Sequence, residues 1–366
     1  MAVHARIAPG LILIAVSVAL VGFTTGGTGR HRKPAAWNAK AAANYLDSRT
    51  KSWASGGAMD HGTFCISCHT ALPYALARPV MRTALGEAGT SAVERQLLDS
   101  VTKRVGLWDQ VQPYLGDKKE GPASESILNA LILTQEDENS GRMTETTREA
   151  LRLMWASQIK TGDKTGSWPW INAGNEPWEA PDSEYWGATL AAVAAGTAPE
   201  NYLATPNIQG DLSRLKSYLR DEEKGKSLFN RLNLLWAGTK VPGLVSADRR
   251  ASIISDVLGK QQPDGGWSTA SLILDTWIRH DRTPQETKSD GYGTGLVAYV
   301  LEQSGFKSTR PELKKALRWL AENQDQSSGA WPTVSPNVKR DATTDVGKFM
   351  TDAATAYAVL ALTDKR

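Results

Sequence analysis

Gln261-Gln262-Pro263-Asp264-Gly265-Gly266-Trp267 decides how this chain folds, because the same pattern returns elsewhere. Gln324-Asp325-Gln326-Ser327-Ser328-Gly329-Ala330-Trp331 repeats it with one residue inserted, and a looser copy runs from Gln158 through Gly166 to Trp168. Recurrence of one pattern between similar flanks marks a repeat architecture. Each copy follows a helix-like stretch: Thr144 to Gln158, Ala247 to Gln262 and Pro311 to Gln324. The last opens with Pro311 and Glu312, good first-turn residues, and sets Leu313, Ala316, Leu317 and Leu320 on one face. Each copy also precedes a second helix-like stretch: Ser183 to Gly196, Asp290 to Gly305 and Thr351 to Leu362. These are rich in small residues, which let helix backbones approach closely. An acid stands at or near each start (Asp182 and Glu184, Asp290, Asp352), where it suits the helix dipole.

The pattern extends upstream. Pro122 to Glu136, with Glu125 near its start, and Lys226 to Ala237 read as inner helices. Ser91 to Leu107 and Asp211 to Arg220 read as outer ones, and Asn38 to Asp47 with Leu72 to Leu85 make the first pair. No stretch shows convincing strand alternation. The expectation is an all-α protein, an α/α toroid of about six outer–inner helix pairs, forming a single domain over residues 31–366. An irregular bundle or an open solenoid competes with it, but an open array carries more uniform repeats and polar caps.

The segment from Gln261 to Trp267 resembles the QW repeat of squalene-hopene cyclases and related triterpene cyclases, and Gln324 to Trp331 is similar. The resemblance spans roughly residues 120 to 366. It implies an α/α barrel of the terpene cyclase and prenyltransferase kind, with loops joining outer to inner helices. In those loops the Gln side chain would tie down the turn and the Trp would stack on the next helix. Activity does not follow. The Asp-x-Asp-Asp motif of triterpene cyclases is absent, and Glu136-Asp137-Glu138 reads as a solvated turn. The zinc ligands of prenyltransferase β-subunits lie late in the chain, whereas both cysteines here are early.

The amino terminus reads as a targeting segment. His4 and Arg6 precede the apolar run Leu11 to Phe23, and small polar residues follow. That run is short of the about 20 apolar residues that cross a bilayer and suits a secretory signal. Residues 1–30 are therefore expected to be a signal peptide or an uncleaved anchor. The protein would be exported, either free in the periplasm or held at the inner membrane facing it. The net charge of +3 is small and dispersed, and no basic aromatic surface argues for nucleic acid.

Cys65-Ile66-Ser67-Cys68-His69 is the sharpest motif, and its cysteines are the chain's only two. C-x-x-C-H is the c-type haem attachment pattern. Two thiols at this spacing reach the two vinyl groups of one haem, and the next His supplies an axial imidazole. The leading expectation is haem c held by Cys65, Cys68 and His69 in a loop over residues 59–71, serving electron transfer or another redox task with a redox partner. Candidate sixth ligands are His61, Met59 and Met81. A disulfide or redox pair needs only the cysteines. A zinc site would use Cys65, Cys68, His69 and perhaps His61.

In a toroid the loops that enter inner helices emerge at one end. Cys65, His69, Glu125, Asp182, Glu184, Asp290 and Asp352 are therefore expected to share a rim. Capping is the ordinary role of such acids. Asp182 and Glu184 have the best claim to catalysis, because they follow the long loop that holds Trp168, Trp170 and Trp178. The alternative expectation is thus a toroid enzyme (lyase, hydrolase or cyclase-like) using rim carboxylates on an isoprenoid or carbohydrate. Those Trp residues would stack on the ligand or simply pack the loop down. A third possibility is a non-catalytic module that binds a lipid or a peptide. His280 reads as an ordinary loop histidine, and no Ser-His-Asp arrangement, nucleophile elbow or phosphate loop is present.

Overall fold

The computed structural model describes Met1 and residues 36–56, 59–111 and 119–363. Nearly all of the targeting segment lies outside these residues. No described helix is long and apolar enough to cross a membrane.

Twelve α-helices fill the described chain. The outer helices are α1 (Ala39–Ala54), α3 (Ala92–Gly106), α5 (Glu145–Ala156), α7 (Gln209–Asp221), α9 (Ala247–Leu258) and α11 (Pro311–Glu322). The inner helices are α2 (Ala71–Leu85), α4 (Glu120–Glu138), α6 (Ser183–Thr197), α8 (Leu228–Lys240), α10 (Gly291–Gln303) and α12 (Phe349–Thr363). The distinction is physical. Outer helix α11 buries only Leu313, Ala316 and Leu320, one face of a typical surface helix. Inner helix α10 buries every residue from Gly291 to Glu302. Each inner helix packs on the next, α2 on α4 and so on to α10 on α12, and α12 returns to α2. The ring is closed.

The QW-like loops show how closure is built. Gln261 Nε2 donates to Gly265 O and to Glu312 O in the first turn of the next outer helix, both at 2.8 Å. Gln324 Nε2 donates to Gly329 O at 2.8 Å and to Asn38 O at 3.1 Å, across the seam between the last outer helix and the first. Gln158 makes the same pair of bonds to Gly166 O and Asp211 O. Each Gln therefore ties its own turn and the start of the following outer helix. The Trp also ties its loop backward, and Trp331 meets Trp37, just before α1, with ring centroids 6.1 Å apart. Trp168, Trp267 and Trp331 each donate back to the preceding outer helix, at Met154 O, Val257 O and Leu320 O. Gly329, at φ +79°, also has to be glycine, because a Cβ there would strike the backbone of Ala41 and Ala42 on α1.

The expected pairs and most boundaries hold, with two differences. Helix α1 runs beyond Asp47 to Ala54, and residues 59–64 form a two-stranded antiparallel hairpin, β1 (Met59–Asp60) with β2 (Thr63–Phe64). Strands this short carry no alternation to read. The turn His61-Gly62, both at positive φ, closes the hairpin.

Candidate functional site

The C-x-x-C-H loop winds directly into the first inner helix. Ser67 Oγ accepts from the Ala71 backbone N–H at 3.0 Å and so caps the first turn of α2. Upstream, Ser100 of α3 binds both polar groups of the Phe64 backbone. Arg104, fully buried, joins this hairpin to α4, donating through Nη1 to Thr63 Oγ1 at 2.8 Å and through Nη2 to Glu125 Oε2 at 2.9 Å. The loop is thus fixed from three sides.

It forms one wall of a cavity of about 310 Å³ at the end of the barrel where the inner helices begin. Cys65, Cys68 and His69 line it together with Ser124 and Glu125 at the start of α4. The long loop before α6 contributes Asn175, Glu176, Trp178 and Glu179. The segment before α12 contributes Asn337 and Arg340, and Phe349 stands at the helix start. The walls are therefore aromatic and aliphatic with a few converging polar groups, the usual make-up of a ligand pocket.

His69 stacks on Phe349 with ring centroids 3.6 Å apart and meets the edge of Trp53 at 5.1 Å. Its Nδ1 lies 2.8 Å from Thr70 Oγ1, and no partner is recorded for Nε2 among the described residues. Burial, aided by the charge of Arg49, pushes the imidazole down to about 3, so the ring is neutral at ordinary pH. Thr70 Oγ1 in turn donates to Asp352 Oδ2 at 2.8 Å. Asp352 also accepts from Tyr45 and from Arg49 Nε, both at 2.8 Å. Burial holds the Asp352 carboxyl above its ordinary range, against the opposing pull of Arg49, Thr70 and Tyr45.

Glu176 lines the same cavity from the long loop before α6. It is 2% exposed, and among the described residues its Oε1 has no hydrogen-bond partner. Burial, with Asp182 adding to it, pushes its carboxyl up to about 8. Burial also raises Glu179, opposed by the Asn175 side chain. The Cys68 thiol is raised well above its ordinary range, by burial first and then by Glu179 and Cys65. Cys65 Sγ lies 3.8 Å from Glu125 Oε2. Among the described residues no disulfide joins Cys65 and Cys68.

The expected rim divides in two. Of the residues expected there, Cys65, His69 and Glu125 line the cavity, joined by Cys68; Asp182, Glu184, Asp290 and Asp352 are not among its lining residues. Asp182 accepts from Asn230 Nδ2 of α8 at 2.7 Å, and Glu184 pairs with Lys164 at 2.5 Å, so both tie elements together. Asp290 caps α10 through Gly293 N and holds Thr269. The proposed sixth ligands lie elsewhere. Met59 and His61 sit exposed on the hairpin, with His61 against Asp60 at 2.6 Å. Met81 is fully buried on α2, about 18 Å along the helix from His69 at 1.5 Å per residue. Among the described residues no group of three or more His, Cys, Asp or Glu side chains is arranged to hold a metal ion.

Glu176, Glu179 and Asn337 did not stand out in the sequence. Glu176 and Glu179 lie within the aromatic loop that did, flanking Pro177-Trp178. That was their one available signal. Of the loop's Trp residues, Trp168 and Trp170 are structural, with Trp170 Nε1 donating to Trp178 O at 2.8 Å. Trp178 alone faces the cavity, while its Nε1 donates to Tyr292 at 2.9 Å.

No family model and no curated protein matches this chain. Solved structures do. A polysaccharide lyase aligns at a TM-score of 0.52 with 14% identity, over 89% of this chain and 96% of its own. A possible member of the GH105 family from Klebsiella pneumoniae aligns at 0.50 with 13% identity, over 96% and 98%. The GH76A α-1,6-mannanase from Salegentibacter aligns at 0.50 with 13% identity, over 89% and 99%. What this chain shares with them is the α/α-toroid fold.

Proposed function

We propose that this toroid is an enzyme that binds a saccharide chain in the mouth cavity and cleaves it by general acid–base chemistry. The observation that carries the reading is the convergence, in one cavity, of an imidazole and a buried carboxyl with their proton affinities pushed in opposite directions. Glu176 keeps its proton at neutral pH and serves as the acid, and neutral His69 serves as the base. Trp53, Trp178 and Phe349 supply flat apolar faces against which a sugar ring stacks. The names of the structural neighbours lend support, since a polysaccharide lyase and a mannanase both act on sugar chains. Asp182 and Glu184 then act as supports of the catalytic loop. The test is a panel of neutral and acidic oligosaccharides, read by reducing-end release and by the absorbance of unsaturated products. Turnover that disappears in both Glu176→Gln and His69→Gln supports the reading; turnover retained in both ends it.

A second reading keeps haem c, favoured by one observation. Both thiols and the histidine line the same cavity, and no partner is recorded for Nε2. These donors fit the group: Cys65 and Cys68 would hold it covalently, and His69 would be its axial ligand. Haem would supply one-electron or small-ligand chemistry. The exported location, a redox partner and a distant kinship to terpene cyclases through the QW-like loops belong to this reading as proposals. A covalent haem band after denaturation of protein made with haem-maturation machinery supports it; colourless protein with two titratable thiols removes it.

A further inference from the structure

We propose that closure of the ring, acting through Asp352 and Thr70, fixes His69 as the Nδ1–H tautomer and so makes Nε2 the basic nitrogen presented to the cavity. This rests on His69 being the base of the proposed reaction, and it names the positioning residues that prepare that base.

The argument follows single protons. Asp352 Oδ1 takes the Arg49 Nε–H and the Tyr45 hydroxyl, both at 2.8 Å. With a guanidinium against it, this carboxylate is an acceptor. Its other oxygen, Oδ2, lies 2.8 Å from Thr70 Oγ1 and receives the one hydrogen that this hydroxyl owns. Thr70 then has only lone pairs for its second neighbour, His69 Nδ1, at 2.8 Å. The proton on that bond therefore belongs to the ring. A neutral imidazole carries one N–H, so Nε2 is left as a lone pair. Stacking on Phe349 and the Trp53 edge stops the ring from rotating out of this bond.

The relay crosses the seam of the toroid. Thr70 begins the first inner helix, Asp352 stands in the first turn of the last one, and Tyr45 and Arg49 come from the first outer helix. Only a ring that has closed brings them together. The base is thus assembled by the same contact that completes the fold.

Long-range ¹H–¹⁵N correlation spectra of the labelled full chain at neutral pH report which ring nitrogen of His69 carries hydrogen. Nδ1–H is expected in the wild type and in Thr70→Ser, which keeps the hydroxyl. Thr70→Val keeps the shape and the Asp352–Arg49 pair but loses the relay. It should show a mixed or Nε2–H ring and roughly 10- to 100-fold lower turnover, the usual cost of losing such an outer partner. An Nε2–H ring in the wild type overturns the inference, as does an unchanged tautomer in Thr70→Val; the wild-type spectrum alone decides should that variant fail to fold. Nδ1–H in the wild type beside full turnover in His69→Gln upholds the relay and defeats only the acid–base function.

Discussion

The loops at Gln261–Trp267 and at Cys65–His69 occupy the same place in the architecture, between an outer helix and the next inner one, yet they do opposite work. In the first, the polar side chains are committed to structure: Gln261 spans to two carbonyls, Trp267 returns to Val257, and Asp264 accepts from Ser289 and Trp319. In the second, and in the facing loop at Glu176, polar groups remain uncommitted in an apolar cavity. No partner is recorded for His69 Nε2 among the described residues, and Glu176 Oε1 is orphaned. An unmet buried carboxyl oxygen such as Glu176 Oε1 is costly, and here it belongs to a residue that lines the cavity. The two loops thus share a position in the fold and differ in how far their polar side chains are tied to neighbouring helices.

That contrast can be broken by experiment. The largest effect should come from the uncommitted groups: Glu176→Gln or His69→Gln should lower turnover by roughly 100- to 10,000-fold while the melting temperature stays within a few degrees. A loss of stability that matches the loss of rate would erase the distinction. In the committed loops the pattern should invert. Trp267→Ala and Trp331→Ala should cost about 3–5 kcal/mol in urea unfolding, as buried aromatic truncations do. Gln324→Ala, which cuts the bonds across the seam, should cost about 1–3 kcal/mol and loosen the ring where α11 meets α1. Hydrogen exchange that leaves α1 as protected as before would show that this Gln does not hold the closure.

A further effect is one of pH. Glu176 has a folded-state value of about 8 against an ordinary 4.5, so the native protein holds this proton more tightly than the unfolded chain. Its contribution to stability is complete below the lower value and is lost as pH rises toward the upper one. The wild type should therefore lose stability over that window relative to Glu176→Gln, which cannot ionise. Parallel melting curves for the two proteins across the window would argue that Glu176 titrates normally.

The helix pairs were legible because a repeat writes the same instruction several times. Leu313, Ala316 and Leu320 mark one outer face, and the Ala-rich run of α12 marks an inner helix, without reference to any distant residue. The C-x-x-C-H loop was legible for a similar reason, since its chemistry lies within five consecutive residues. The acids were not. Asp182, Glu184 and Asp290 stand where helix starts place them, and nothing local tells a cap from a catalyst. Asp182 is engaged by Asn230 and Glu184 by Lys164, partners that the sequence spacing does not announce.

What the sequence determined by itself was the helix pairs: periodic apolar faces, small-residue helices and turn-forming loops are local signals, while closure of the ring rests on the contact of α12 with α2. Which carboxyl loses its water, and which histidine nitrogen keeps its lone pair, only the tertiary structure decided. Burial of Glu176 and the bond from Thr70 to Asp352 join segments from opposite ends of the chain. Proton affinity depends on whatever surrounds a group in space, and chain order does not record those surroundings.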